Sequence, residues 1–220
     1  MERPINPFVT SGKIPPAHFC DRVEEAAALE KSLVNQLNVV LTSARRMGKT
    51  SLVDFVFDKP SIQGEYVTVA VDILHTTTFR EFIFTLGTAV FDRVASRSDK
   101  MRRLFVTLLK SLSASFGYDP IQNTPTFDIK LGDIQQPEYT LREIFEYLEN
   151  VDSRCLVVID EFQQITRYPE KNAEALLRTY IQKLSNVNFV FSGSRRRLME
   201  EMFFSAKRPF YQSAKALRLE

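Results

Sequence analysis

The chain is poor in the residues that build metal centres and disulfide scaffolds. Its 220 residues include two cysteines, Cys20 and Cys155, and two histidines. The cysteines lie far apart, and Cys155 sits in an apolar strand-like run, which reads as a buried free thiol rather than half of a disulfide. No cluster of zinc-type ligands occurs, and His75 reads as an ordinary surface or core histidine. Excess charge of one sign is missing too. A formal net charge of +2 is too small to argue for nucleic acid or an acidic membrane surface. No apolar run approaches the length of a membrane span. Met1–Thr10 carries charges and prolines where a signal peptide would need an apolar core. These absences predict a cytoplasmic protein without membrane contact. Internal repeats, low-complexity segments and the Asn-Lys-x-Asp signature of guanine recognition are absent as well, the last disfavouring GTP.

What is present is ordinary globular composition, 44% hydrophobic and 25% charged, enough to bury a core as one domain, residues 1–220. Its organising stretch is Asn38–Val53. An apolar β-type run, Val39-Val40-Leu41, leads into a turn of small and basic residues, Ser43-Ala44-Arg45-Arg46-Met47. Gly48-Lys49-Thr50-Ser51 then opens an apolar helical segment through Leu52, Val53, Phe55 and Val56. Strand, turn, Gly-Lys-Thr and helix in that order make a phosphate-binding P-loop. Backbone N–H groups of such a turn cradle phosphates at a helix N-terminus. Lys49 would reach the β- and γ-phosphates of ATP as a point charge, and the Thr50 hydroxyl would face Mg2+. The pattern departs at one place: Ser43 stands where glycine is usual. Glycine is favoured where backbone is strained or approaches a ligand closely. Serine is the smallest polar substitute, so the motif is degenerate rather than lost.

Strands and helices alternate around this unit, which predicts a parallel α/β sheet. Residues 1–18 hold four of the ten prolines and read as irregular, with Phe8 and Val9 as anchors. Asp21 and Glu24 read as an N-cap box for a helix through Val23–Leu37. Glu65–Ile73 is a strand ending at Asp72, read as a helix cap, and Thr78 with Glu81 caps a helix through Val90. A stripe from Met101 to Leu112 follows. Tyr118–Gln136 is punctuated by proline, glycine and asparagine, with Phe127, Ile129 and Leu131 alternating, and reads as a loop or hairpin insertion. Thr140 and Glu143 are expected to cap the next helix. Arg154–Asp160 and Val187–Ser192 are continuous apolar strands of the kind buried on both faces. Helices are expected over 172–184 and Leu198–Phe204, and Lys215–Glu220 begins a fifth strand.

The run Cys155–Glu161, CLVVIDE, carries the second motif. Four apolar residues and Asp-Glu make a Walker B strand. Asp160 would hold magnesium through its water shell, and Glu161 would polarise the attacking water as general base. Both motifs fall at strand C-termini, where open α/β sheets bind ligands.

Several further segments resemble the archaeal-type ATPase family in the STAND branch of AAA-like P-loop NTPases. Phe19-Cys20-Asp21-Arg22 followed by Glu24-Glu25 resembles its entry motif. Ala44–Leu52 resembles its P-loop and Ile159–Gln163 its Walker B. Ser192-Gly193-Ser194, Met199-Glu200 and Pro209-Phe210-Tyr211 resemble its sensor strand and the segment after it. The resemblance implies a three-layer P-loop NTPase sandwich with sheet order 5-1-4-3-2. It puts Phe19, Cys20 and Arg22 near adenine and ribose, and Ser192 or Ser194 at the position that reads the γ-phosphate. The family's Tyr-Gly-Arg appears here as Tyr211-Gln212-Ser213, so a phosphate-sensing arginine is missing. Arg195, Arg196 or Arg197 is a candidate replacement, and a solvated basic turn is the alternative. Family members continue into a winged-helix region, which is not expected within these residues.

Three functions remain open at this point: a slow Mg-dependent ATPase switch, a non-hydrolysing ATP/ADP-binding module serving a protein partner, and a DNA-handling ATPase. The first allows for a homo-oligomer whose neighbour supplies an arginine. The last draws on Arg195–Arg197 with Lys207 and Arg208.

Overall fold

The structure is a computed structural model and describes residues 19, 22–119, 124–127 and 130–220. The expectations for residues 1–18, Cys20, Asp21 and Ile129 lie outside the described residues. Helix α1 (Val23–Val34) precedes β1 (Val39–Thr42), α2 (Lys49–Phe57), α3 (Pro60–Gln63) and β2 (Tyr66–Asp72). Then come α4 (Phe79–Arg93), α5 (Asp99–Leu108), the antiparallel pair β3 (Phe116–Asp119) and β4 (Thr124–Phe127), and α6 (Pro137–Asn150). The chain closes with β5 (Arg154–Asp160), α7 (Ala173–Ile181), β6 (Val187–Gly193), α8 (Arg196–Phe204) and β7 (Lys215–Arg218). The parallel five-stranded sheet runs β2-β5-β6-β1-β7. Numbering its strands along the chain gives the expected order 5-1-4-3-2, with β6 between the P-loop strand and the Walker B strand.

Period-two alternation explains why the central strands are apolar throughout. Cys155, Val157 and Ile159 of β5 face the core under α4, α6, α7 and α8. Leu156 and Val158 face the core under α1, α2 and α3. The larger core includes a knot of rings, Phe162, Phe191, Phe203 and Phe210. Phe162 and Phe191 lie 4.7 Å apart, and Phe210 lies 5.2 Å from Phe162 and 5.3 Å from Phe203. Each is buried completely, worth about 1.5–3 kcal/mol apiece. The knot fastens the turn after β5 to β6 and α8, so the site-bearing strand ends cannot drift apart. Cys155 is a buried free thiol, and burial pushes its ionisation up to about 12.

Several local expectations need correction. Thr140 and Glu143 do not cap α6. Pro137, with no N–H to lose, starts that helix a turn earlier. Thr140 and Glu143 are buried inside it and hold the preceding segment: Thr140 Oγ1 lies 2.9 Å from Ser111 Oγ, and Glu143 accepts the Ser111 N–H at 3.0 Å. The apolar stripe beginning at Met101 breaks at Leu109, and Lys110–Ser115 continues as a 3-10 helix. The hairpin starts at Phe116, two residues before the expected insertion. Asp72 caps a turn by accepting the Leu74 N–H at 2.8 Å and caps no helix. Thr78 caps α4 as expected, accepting the Glu81 N–H at 3.2 Å. No helix among the described residues is long and apolar enough to cross a membrane.

Candidate functional site

The C-terminal ends of β1, β5 and β6 converge on one edge of the sheet. After β1 the turn Ala44–Gly48 is exposed, while Ser43 and Lys49 at its two ends are buried. Two residues of the turn take left-handed backbone, Arg46 (φ 64) and Gly48 (φ 77). Gly48 is the N-cap of α2, and only glycine adopts that conformation without strain. Ser43 is not left-handed, which explains physically why a side chain is tolerated at this position. Its hydroxyl accepts from Lys49 Nζ at 3.3 Å and donates to the Ala44 carbonyl at 2.9 Å. Lys49 thus rests on neutral oxygens, with a second, long contact to Ala44 O at 3.5 Å. Ser51 is half-buried in the first turn of α2 and Met47 is exposed.

The Walker B doublet is split by its backbone. Glu161 is left-handed (φ 54), a conformation costing about 1–2 kcal/mol for a non-glycine residue. The kink sends the two neighbouring carboxylates apart, which relieves their repulsion and gives each its own donors. Asp160 turns toward the P-loop: its Oδ2 accepts from Thr50 Oγ1 at 3.2 Å, across 110 residues of sequence, and its Oδ1 accepts the Glu161 N–H at 2.9 Å. Glu161 turns toward β6: its Oε2 accepts from Ser194 Oγ at 2.8 Å and from Gln163 Nε2. The Thr50–Asp160 pair fits magnesium. Octahedral ligands at 2.0–2.1 Å place adjacent oxygens about 3 Å apart, and this ion uses few protein ligands. No group of three or more acidic, cysteine or histidine side chains placed to hold a metal occurs among the described residues.

Beside Glu161 lies a cavity of about 300 Å³ lined by Arg45, Leu74, Glu161, Gln163, Gln164, Arg167, Ser194 and Arg195. Three arginines thus line the cavity beside that carboxylate. Among the described residues none of the three has an ion-pair partner, whereas Arg196 pairs with Glu200 at 3.1 Å and Arg208 with Glu174 at 2.8 Å. Burial raises the Glu174 carboxyl above its ordinary value despite Arg208. Ser192 is buried in the middle of this edge, its hydroxyl without a partner among the described residues. Such an orphan is costly and calls for a reason.

The structure therefore brings together Ser43, Lys49, Thr50, Asp160, Glu161, Ser194 and Arg195, with Arg45 between the two motifs. Of the residues expected near adenine and ribose, Phe19 and Arg22 lie among the described residues. Phe19 stacks on Phe55 of α2, centroids 4.1 Å apart. Arg22 bonds Glu25 at 2.6 Å and the Glu220 carbonyl at 2.7 Å, and lines a separate groove of about 660 Å³ between α1 and β7. Sequence reasoning missed Gln163 and Arg167. Gln163 was visible only as the last residue of the Walker B segment Ile159–Gln163, with no role assigned, and Arg167 gave no signal.

No known family profile matches the chain, and no curated protein sequence matches it. Solved structures do. The chain is similar to a Walker-type ATPase of Pyrococcus abyssi, with TM-score 0.63 and 20% identity over 97% of this chain and 57% of that one. It is similar to the ORC2 protein of Aeropyrum pernix, solved as ADPNP–ADP complexes, with TM-score 0.57 and 17% identity over 91% and 48%. The ORC1 protein of Aeropyrum pernix, solved in complex with DNA, matches with TM-score 0.51 and 14% identity over 91% and 45%. The chain thus spans about half the length of the solved proteins it matches. At these identities the likeness is one of fold, and the fold is that of a P-loop NTPase.

Proposed function

We propose that this chain binds ATP with magnesium and hydrolyses it slowly, as a nucleotide-dependent switch. The single observation that carries the reading is the split doublet: Asp160 bonded to Thr50 of the P-loop, and Glu161 turned into a cavity lined by arginines. The turn 43–48 and the first turn of α2 offer N–H groups to the phosphates. Lys49 lies buried at the base of that turn and would exchange neutral oxygens for phosphate oxygens. Thr50 and Asp160 would hold magnesium, whose charge helps neutralise the β- and γ-phosphates when it is bound. Glu161 takes a proton from the attacking water. Arg195, with Arg45 and Arg167 in the same cavity, offers charge to the oxygens of the γ-phosphoryl group. This would supply in cis what the missing Tyr-Gly-Arg arginine, or a neighbouring subunit, would otherwise supply.

ADP production by the purified chain tests the reading. Glu161→Gln is expected to leave ATP binding intact and cut turnover by about 10²–10⁴-fold. Tight ATP binding without turnover in the wild type would select a non-hydrolysing module instead. A DNA-handling role draws support from the solved ORC1 complex, but two of its five cations, Arg196 and Arg208, are committed to carboxylates. A salt-dependent DNA affinity would be its mark.

A further inference from the structure

We infer that Gln163 is a positioning residue for Glu161, and that Gly193 is glycine to make room for it. The inference rests on the hydrolytic reading above. Glu161 is a long side chain on a strained backbone, and three rotatable bonds leave its carboxylate many places to go. Two donors from two different strand ends remove that freedom. Gln163 Nε2, from the 3-10 turn Phe162–Arg167 after β5, and Ser194 Oγ, from the end of β6, both donate to Oε2. Among the described residues nothing donates to Oε1. The clamp thus commits one oxygen to the protein and leaves the other to accept a proton at the cavity.

Gln163 is itself held firmly. It is 5% exposed. Its backbone carbonyl accepts from Thr166 Oγ1 at 2.9 Å, and the neighbouring Gln164 Nε2 donates to the Thr76 carbonyl at 2.9 Å. Its side-chain carbonyl is buried without a partner among the described residues. A buried polar atom left unpaired is unfavourable, so packing alone does not account for a glutamine here. That oxygen lies against Gly193. A methyl group at 193 would overlap it and would sit 2.7 Å from the Met199 thioether. Gly193 takes no left-handed angle, so the requirement is space rather than conformation. Strand β6 therefore serves the base twice, by the Ser194 hydroxyl and by the gap that admits Gln163.

The test is magnesium–ATP turnover for the wild type, Gln163→Met, Ser194→Ala and Glu161→Gln. Affinity for a fluorescent ATP analogue and thermal unfolding are measured alongside. Methionine keeps the volume and removes the donor. Gln163→Met is expected to lower kcat about tenfold or more with nucleotide Kd within about twofold, since the base is mispositioned and not removed. Loss of kcat at an unchanged nucleotide Kd is the split that marks positioning. A residue serving only stability would shift the melting temperature and leave kcat well below melting unchanged. Should Gln163→Met not fold, Ser194→Ala, which strips the same oxygen from the other side, decides the matter by the same readouts. Normal kcat in both variants, with Glu161→Gln inactive, overturns the inference alone. Wild-type rates in Glu161→Gln, or no turnover in the wild type, overturn the hydrolytic reading and this inference with it.

Discussion

The two ends of the parallel sheet treat polar groups in opposite ways. At the N-terminal end the strands are tied off. Asn186 Nδ2 faces the carbonyls of Leu148, Val151 and Ser153 at 3.1–3.3 Å. Glu149 accepts the N–H groups of Ser185 and Asn186. Asn38 accepts the Phe189 N–H through its side chain and the Lys215 N–H through its carbonyl, both at 2.8 Å. At the C-terminal end the groups are ordered but uncommitted. Among the described residues, Lys49 rests on neutral oxygens, the Ser192 hydroxyl has no partner, and Arg45, Arg167 and Arg195 line the cavity beside Glu161 without an ion pair. Buried polar groups are normally satisfied. The buried Tyr147 hydroxyl beside Cys155 also lacks a partner among the described residues, so the contrast lies in the ties made at the closed end and the cavity left at the open one rather than in orphans alone.

Substitutions should divide along the same line. The largest effect is expected at the open end: Lys49→Ala lowers turnover about 10²-fold or more, while the melting temperature, followed by circular dichroism, stays level or rises. A marked loss of stability there would break the contrast. At the tied end, Asn186→Ala is expected to cost about 2–3 kcal/mol by stranding buried carbonyls, roughly 5–10 °C for a chain of this size, with ATP affinity unchanged. Calorimetry and nucleotide titration of the same sample check both halves.

Glu149→Gln sharpens the contrast through pH. Burial alone would raise the Glu149 carboxyl, but the hydrogen bonds from Ser185 and Asn186 prevail and hold it below its ordinary value. A lowered carboxylate stabilises the fold above the unfolded-state value of about 4.3 and loses that contribution as pH falls through its folded value. The variant should melt about 2–4 °C below the wild type at neutral pH, for a loss near 1 kcal/mol. The gap should narrow in acid below that carboxylate range. A gap constant with pH would show that the charge plays no part. The smallest effect is expected at Ser43→Gly. Position 43 needs no left-handed backbone, so restoring the usual glycine should change nucleotide affinity less than about threefold, against the roughly 1 kcal/mol of strain that Gly48→Ala would bring.

Local chemistry made most of the fold legible before any coordinates. Alternation of apolar strands with amphipathic helices, and two motifs at strand ends, led to the parallel sheet and the site-bearing edge, while the strand order was what the family resemblance implied. The failures were equally physical. Thr140 and Glu143 match a capping pattern, yet they serve Ser111 from inside a helix that Pro137 starts earlier. The resting places of Phe19 and Arg22 were not legible either: Phe19 stacks on Phe55 and Arg22 reaches the Glu220 carbonyl, partners that no local pattern specifies.

By itself the sequence determined the turn that can cradle a phosphate, the apolar strands that carry it and the acidic doublet, because each depends on residues adjacent along the chain. Tertiary structure alone decided how the doublet is divided, which oxygen of Glu161 stays free, and that Arg45, Arg167 and Arg195 share one cavity. Those facts depend on the register of β5 and β6 and on side chains meeting across it, and hydrogen bonds between residues tens of positions apart leave no periodic trace in a chain.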